Sequence, residues 1–185
     1  MKTLIIDTSS KYCLLALTQD DRIVQQMLFP HENRLSESLL PSIRALCALN
    51  TIERIAVGVG PGSYTGTRIG VTVARSLSYG LQIPLRGFCS LMAFLPLSDG
   101  RLAAVLPAKS GRCFFVSATK VEKKLHIDRA ELLSADALQA ALQNIDFTCF
   151  CDCEPCPENI VQSLQMPSVF AFETDAQLIY LNEHI

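Results

Sequence analysis

Three short β-type runs open the chain, over residues 3–7, 12–18 and 22–29. They are separated by Thr8-Ser9-Ser10 and by Gln19-Asp20-Asp21, so the pattern predicts an antiparallel three-stranded meander. From Leu35 the period changes. Leu39, Leu40, Ile43, Leu46 and Cys47 recur at helical spacing, with Glu37, Ser38, Ser42 and Arg44 opposite them. Pro41 falls inside this pattern, either as the first residue of the regular part or as a kink. Residues 54–60 then form an apolar run suited to a buried strand, and residues 67–81 a second helix, which completes a βββαβα unit.

Beyond Pro84 the pattern predicts a strand, a short helix over 90–94 and a polar turn at Ser98-Asp99-Gly100. That turn marks the crossing between an N-terminal domain, residues 1–98, and a smaller one, residues 99–185. Strands are expected over 101–106, 111–119 and 125–132, and a helix over 134–142 capped by Ser134. A strand around Phe147 and a closing helix over 173–181 would end the domain. This repeats the order of the opening elements in a shorter, degenerate form, without a repeated sequence.

Between the fourth strand and the second helix lies Gly60-Pro61-Gly62-Ser63-Tyr64-Thr65-Gly66, followed by Thr67-Arg68-Ile69-Gly70. A tight glycine turn leading into a helix N-terminus offers backbone N–H groups to an anion or to a neighbouring backbone. The spacing matches neither the Walker pattern, which needs Gly-Lys before the hydroxyl residue, nor G-x-G-x-x-G. Positive φ and close backbone approach explain Gly60, Gly62 and Gly66 as well as phosphate binding does.

This segment closely resembles the signature of the TsaB (YeaZ) family. Ile5-Ile6-Asp7-Thr8-Ser9, Ser36-Glu37 with Leu39-Leu40-Pro41, Ile83-Pro84 and Ser90-Leu91 add to the resemblance, which covers the first half of the chain well and the second half poorly. It implies an α/β fold of the actin, sugar kinase and Hsp70 superfamily (ASKHA, ribonuclease H-like), built from βββαβα half-domains. It further implies a non-catalytic, cytoplasmic subunit that pairs with a TsaD-like catalytic paralogue. With a TsaE-like ATPase, such a pair supports threonylcarbamoyl transfer to the adenosine beside the anticodon of ANN-decoding tRNAs. By the same resemblance the chain has no cofactor of its own. ATP, Mg²⁺ and a metal are expected on the partner subunits, tRNA is held mainly through the complex, and a homodimer can form in isolation.

Charge and cysteines narrow the field. A net charge of −2 does not suggest bulk electrostatic binding of nucleic acid. No secretory signal is readable after Lys2-Thr3, and no apolar stretch approaches the ~18 residues of a membrane span. Of the 8 cysteines, Cys149, Cys151, Cys153 and Cys156 cluster. On a strand, alternate positions lie ~6.8 Å apart, too far for convergence on one ion with Zn–S bonds of about 2.3 Å. No metal site is expected, and reduced thiols are the simpler reading.

For chemistry, Asp7 stands where the superfamily's active members hold metal and phosphates, and Gly60, Gly62 and Ser63 would be the remnant of a nucleotide loop. Asp7 is equally a turn residue that bonds its own backbone near Thr8 and Ser9. A second carboxylate is missing where the family has Asp-Ala-Arg, since this chain reads Pro107-Ala108-Lys109. His31, His126 and His184 form no ligand pair. No catalytic residue is therefore named, and the alternative function, an active small kinase or ATPase, is the weaker one.

The positive signal is a surface. Gly66, Gly70, Ala74 and Ser78 form a four-spaced stripe of small residues, flanked by Ile69, Val73, Leu77 and Leu81. With Leu35, Leu39, Ile43 and Leu46 of the first helix, the residues Ile69, Gly70, Val73, Ala74 and Leu77 are expected to form the partner-binding face. The competing expectation is that these stripes face the chain's own sheet.

Overall fold

The computed structural model describes residues 1–30, 34–95, 98–122, 124–150 and 154–164. The chain divides into two units, the first built on Met1–Ser90 and the second beginning at Leu91, ahead of the Ser98-Asp99-Gly100 turn.

The first unit follows the expected order. Strands β1 (Lys2–Asp7), β2 (Tyr12–Gln19) and β3 (Arg22–Pro30) form the antiparallel meander. Asp20 and Asp21, both at positive φ (50° and 63°), make the tight two-residue connection between β2 and β3. Helix α1 (Leu35–Leu46) leads to β4 (Arg54–Gly58), which adds parallel to β1. Helix α2 (Tyr64–Leu81) leads to β5 (Leu85–Phe88), parallel to β4, and the sheet order is β3-β2-β1-β4-β5.

Helix α1 runs through Pro41 without ending. Proline at that position removes the donor that would reach the Glu37 carbonyl, and both residues are exposed, so water can satisfy it. Helix α2 starts a turn earlier than the periodicity predicts, because Ser63 caps it. The Ser63 hydroxyl accepts from the Gly66 N–H at 3.2 Å. At the other end Gln82, in the left-handed region (φ 54°), closes the helix.

One face of this sheet carries Leu4, Ile6, Leu15, Leu17, Ile55 and Val57, packed with Leu35, Leu39, Ile43 and Leu46 of α1 and Val71 and Ala74 of α2. Leu39 and Ile43 are fully buried, and each such side chain stabilises the fold by about 1.5–3 kcal/mol.

The second unit repeats the order. Strands β6 (Gly100–Pro107), β7 (Cys113–Val121) and β8 (Lys124–Leu133) form a second antiparallel meander. After α3 (Ala135–Ala141), β9 (Phe147–Phe150) adds parallel to β6, giving β8-β7-β6-β9. Ser134 caps α3, its hydroxyl accepting from the Ala137 N–H at 3.3 Å. Helix α4 (Pro157–Leu164) was not anticipated by periodicity. Its start signals are Pro157 in first position and Glu158 in the first turn.

Among the described residues the first sheet has five strands and the second four. The closing helix expected over 173–181 lies outside the described residues. No helix among them is long and apolar enough to cross a membrane.

Candidate functional site

The polar residues of the first unit converge where β1 and β4 end. Asp7, Thr8, Ser9 and Ser90 are all buried there, beside the glycine turn. Asp7 Oδ1 accepts from the Ser9 N–H at 2.8 Å, an Asx turn that fixes the chain as it leaves β1. The Ser63 N–H donates to the Ser9 carbonyl at 2.5 Å, and the Thr8 hydroxyl donates to the Gly66 carbonyl at 2.8 Å. Ser90 ties in the other side: the Gly60 N–H donates to Ser90 Oγ at 3.1 Å, and the Ser90 N–H donates to the Gly60 carbonyl at 2.9 Å.

This geometry accounts for the glycines. Gly60 has φ 95° and is joined to Pro61 by a cis peptide bond. A Cβ on Gly62 would collide with the Ser9 carbonyl, one on Gly66 with the Thr8 carbonyl, and one on Gly70 with the Thr8 hydroxyl. A Cβ on Gly58 would lie 2.6 Å from both Asp7 Oδ2 and Ser90 Oγ. The turn and the first half of α2 are thus pressed onto the end of β1, and only glycine allows that approach.

For nucleotide binding the fit is poor. The N–H groups of Gly60, Ser63 and Gly66 are each engaged by the chain's own oxygens, which takes these three donors of the turn away from a phosphate. In the second unit the residue that ends β6, as Asp7 ends β1, is Pro107, and the Ala108 N–H after it donates to the Arg112 carbonyl at 2.9 Å. Neither residue carries a carboxylate. Among the described residues no three His, Cys, Asp or Glu side chains come together as a metal site would require.

Several expectations about the partner face need correction. Leu35, Leu39, Ile43 and Leu46 lie in the core of the first unit, as do Gly70 and Ala74. The small-residue stripe of α2 faces inward because Thr8 occupies the space a larger residue would need. Ile69, Val73 and Leu77 are half-buried at the margin of the same core. In the cysteine cluster, Cys149 lies on β9, whereas Cys151 and Cys153 fall outside the described residues. Cys156 donates its thiol to Glu158 Oε2 at 3.0 Å, and burial pushes its pKa up.

The sequence reading did not single out Thr8, Gly58 or Ser90 as parts of this junction. A signal for Gly58 is its place at the end of the apolar run that follows Arg54, where a residue without a side chain closes the strand.

A family described as TsaD, tRNA N6-adenosine threonylcarbamoyltransferase, matches residues 31–146. The chain belongs to that family. Within it the similarity is to TsaB (YeaZ) members. The chain is 31% identical over 122 residues to the tRNA threonylcarbamoyladenosine biosynthesis protein TsaB of Bacillus subtilis (strain 168), covering 62% of this chain and 53% of that protein. To TsaB of Escherichia coli (strain K12) it is 30% identical over 133 residues, covering 66% and 57%. The chain thus spans little more than half the length of these relatives.

A solved structure of YeaZ from Pseudomonas aeruginosa superposes with a TM-score of 0.78 at 20% identity, covering 97% of this chain and 99% of that one. The likeness establishes the shared ASKHA-like fold. For the TsaB-like chain, the glycine signature is therefore a packing device that joins α2 to β1.

Proposed function

We propose that this chain is a non-catalytic, cytoplasmic subunit of the complex that forms threonylcarbamoyladenosine in tRNA. It pairs with a TsaD-like catalytic paralogue and, with a TsaE-like ATPase, supports threonylcarbamoyl transfer to the adenosine beside the anticodon of ANN-decoding tRNAs. Membership of the family and the names borne by its TsaB relatives support the pathway. The observation that carries the non-catalytic role is the closed junction, in which the donors of Gly60, Ser63 and Gly66 are spent on the chain itself. ATP, Mg²⁺ and any catalytic metal belong to the partners in this reading. An active small kinase or ATPase of the same fold would need those donors and a second carboxylate where Pro107 stands.

The test is a reconstitution. The purified chain incubated alone with ATP, Mg²⁺, threonylcarbamoyl-adenylate and tRNA is expected to give no multiple-turnover product. Adding a purified TsaD-like protein and a TsaE-like ATPase should restore modification, in step with a complex that co-elutes on a sizing column. Turnover by the chain alone, lost in Asp7→Ala, would refute the subunit role.

A further inference from the structure

Strand β8 (Lys124–Leu133) lies at one side of the second sheet, and among the described residues no strand bonds to its outer edge. Ten residues is long for an edge, whose outward N–H and C=O groups are a template for another strand. A register shift leaves Asp128 without a counterpart on β7, and the Thr119 hydroxyl donates to Asp128 Oδ2 at 2.9 Å. This bulge bends the strand, so its regular stretch beyond it is residues 129–133. Arg129 and Glu131, two residues apart, share one face of the sheet, and the guanidinium donates to both carboxylate oxygens, at 2.9 and 2.7 Å. Both side chains reach solvent. Ala130 between them belongs to the opposite face and is half-buried.

We propose that β8 pairs with β8 of a second copy of this chain, antiparallel, with the two-fold axis at Ala130. In that register Arg129 of each copy stands directly opposite Glu131 of the other, with Cβ atoms about 5 Å apart. Alternate residues on one strand are ~6.8 Å apart, so the four charges form a rectangle whose every side joins unlike charges and whose diagonals join like ones. On the other face Ala130 meets Ala130, a pair small enough to need no rearrangement. Moving the axis to either neighbouring residue sets Arg129 against Arg129 or Glu131 against Glu131, and like charges directly opposite one another oppose pairing. An axis between Asp128 and Arg129 would also match unlike charges, but it falls on the bulge. Around Ala130 the bulge instead ends the ladder, where Asp128 comes opposite Leu132. A charge pattern complementary to itself selects a second copy over a different strand, and the pairing is closed, because each copy spends its own β8 edge. The inference goes beyond the proposed function and does not rest on it, since it uses no residue of the first unit.

The test is sedimentation equilibrium of the full chain from ~10 µM to ~1 mM, because an interface of a few residue pairs is small and its dimer weak. The wild-type chain is expected to dimerise reversibly. Salt at about 1 M, which cuts the screening length to ~3 Å, should weaken the dimer several-fold. Arg129→Glu and Glu131→Arg each place like charges opposite one another, and each should weaken self-association by about tenfold or more. Their thermal unfolding should match wild type, since an exposed ion pair adds little to folding. An equimolar mixture of the two variants should dimerise as the wild type does, because each supplies the charge the other lacks. The ion pair within each chain stays broken in that mixture, so the recovery can come only from contact between copies. A wild-type chain that stays monomeric over the whole range, single variants that associate as the wild type does, or a mixture that stays monomeric would each overturn the proposal. Any of these would leave the proposed function standing, and a failed reconstitution of tRNA modification would leave the pairing standing.

Discussion

Gly70 shows how a single atom decides between surface and core. Its place in a small-residue stripe suggests a helix crossing, yet the neighbour it meets is Thr8 of its own unit. Gly70→Leu and Ala74→Leu should each lose about 1–3 kcal/mol of unfolding free energy, read from urea titration. An unchanged midpoint would mean that the stripe faces outward after all. Cys13 offers a second residue-level test. Burial, with Asp7 adding to it, pushes its thiol from 9.0 up to about 12. A thiol harder to ionise in the folded chain contributes stability that is complete below about pH 9 and lost as pH rises towards 12. Cys13 should therefore resist alkylation at pH 8.5 until urea unfolds the chain. Cys13→Ala should make the fall in stability between pH 9 and 12 shallower. Rapid alkylation of the native protein would contradict both the burial and its consequence.

Among the elements, α2 is the most legible in the sequence, yet neither its start nor the surface its small-residue face meets can be read there. The helical period in 67–81 was plain, but the first turn, from Tyr64, has too few apolar residues to show a period. What starts the helix there is the hydroxyl of Ser63, which accepts the Gly66 N–H. Ser63→Ala should lower stability by about 1 kcal/mol in thermal or urea unfolding. A loss within error would mean that tertiary contacts at the β1 junction, rather than the cap, hold the first turn. Helix α4 escaped notice for a related reason, since at eight residues it spans barely two turns. Most strands are legible nearly to the residue because a short apolar run bounded by turn residues is a local signal, and β1 and β2 are buried almost throughout. The strand over 54–60 was read too long, because apolar Val59 continues the run while Gly60 has already turned to φ 95°.

At the scale of the whole chain, two units repeat one order of elements, three antiparallel strands, a helix, a parallel strand and a helix. Apart from α4, that order follows from period changes and turn residues along the sequence, which are local properties of the chain. The family likewise was visible in one contiguous segment around Gly60 to Gly70. The absence of a carboxylate at Pro107 could also be read directly, since it concerns which residue stands at one place. Only the tertiary structure decided what the glycines are for and which way the helices face. Both depend on neighbours distant in sequence: Ser9 against Gly62, Thr8 against Gly66 and Gly70, and Ser90 against Gly60. A periodic pattern reports that one side of a helix is apolar or small. It carries no label for the surface that side meets, because burial against one's own sheet and burial against a partner remove the same area from water.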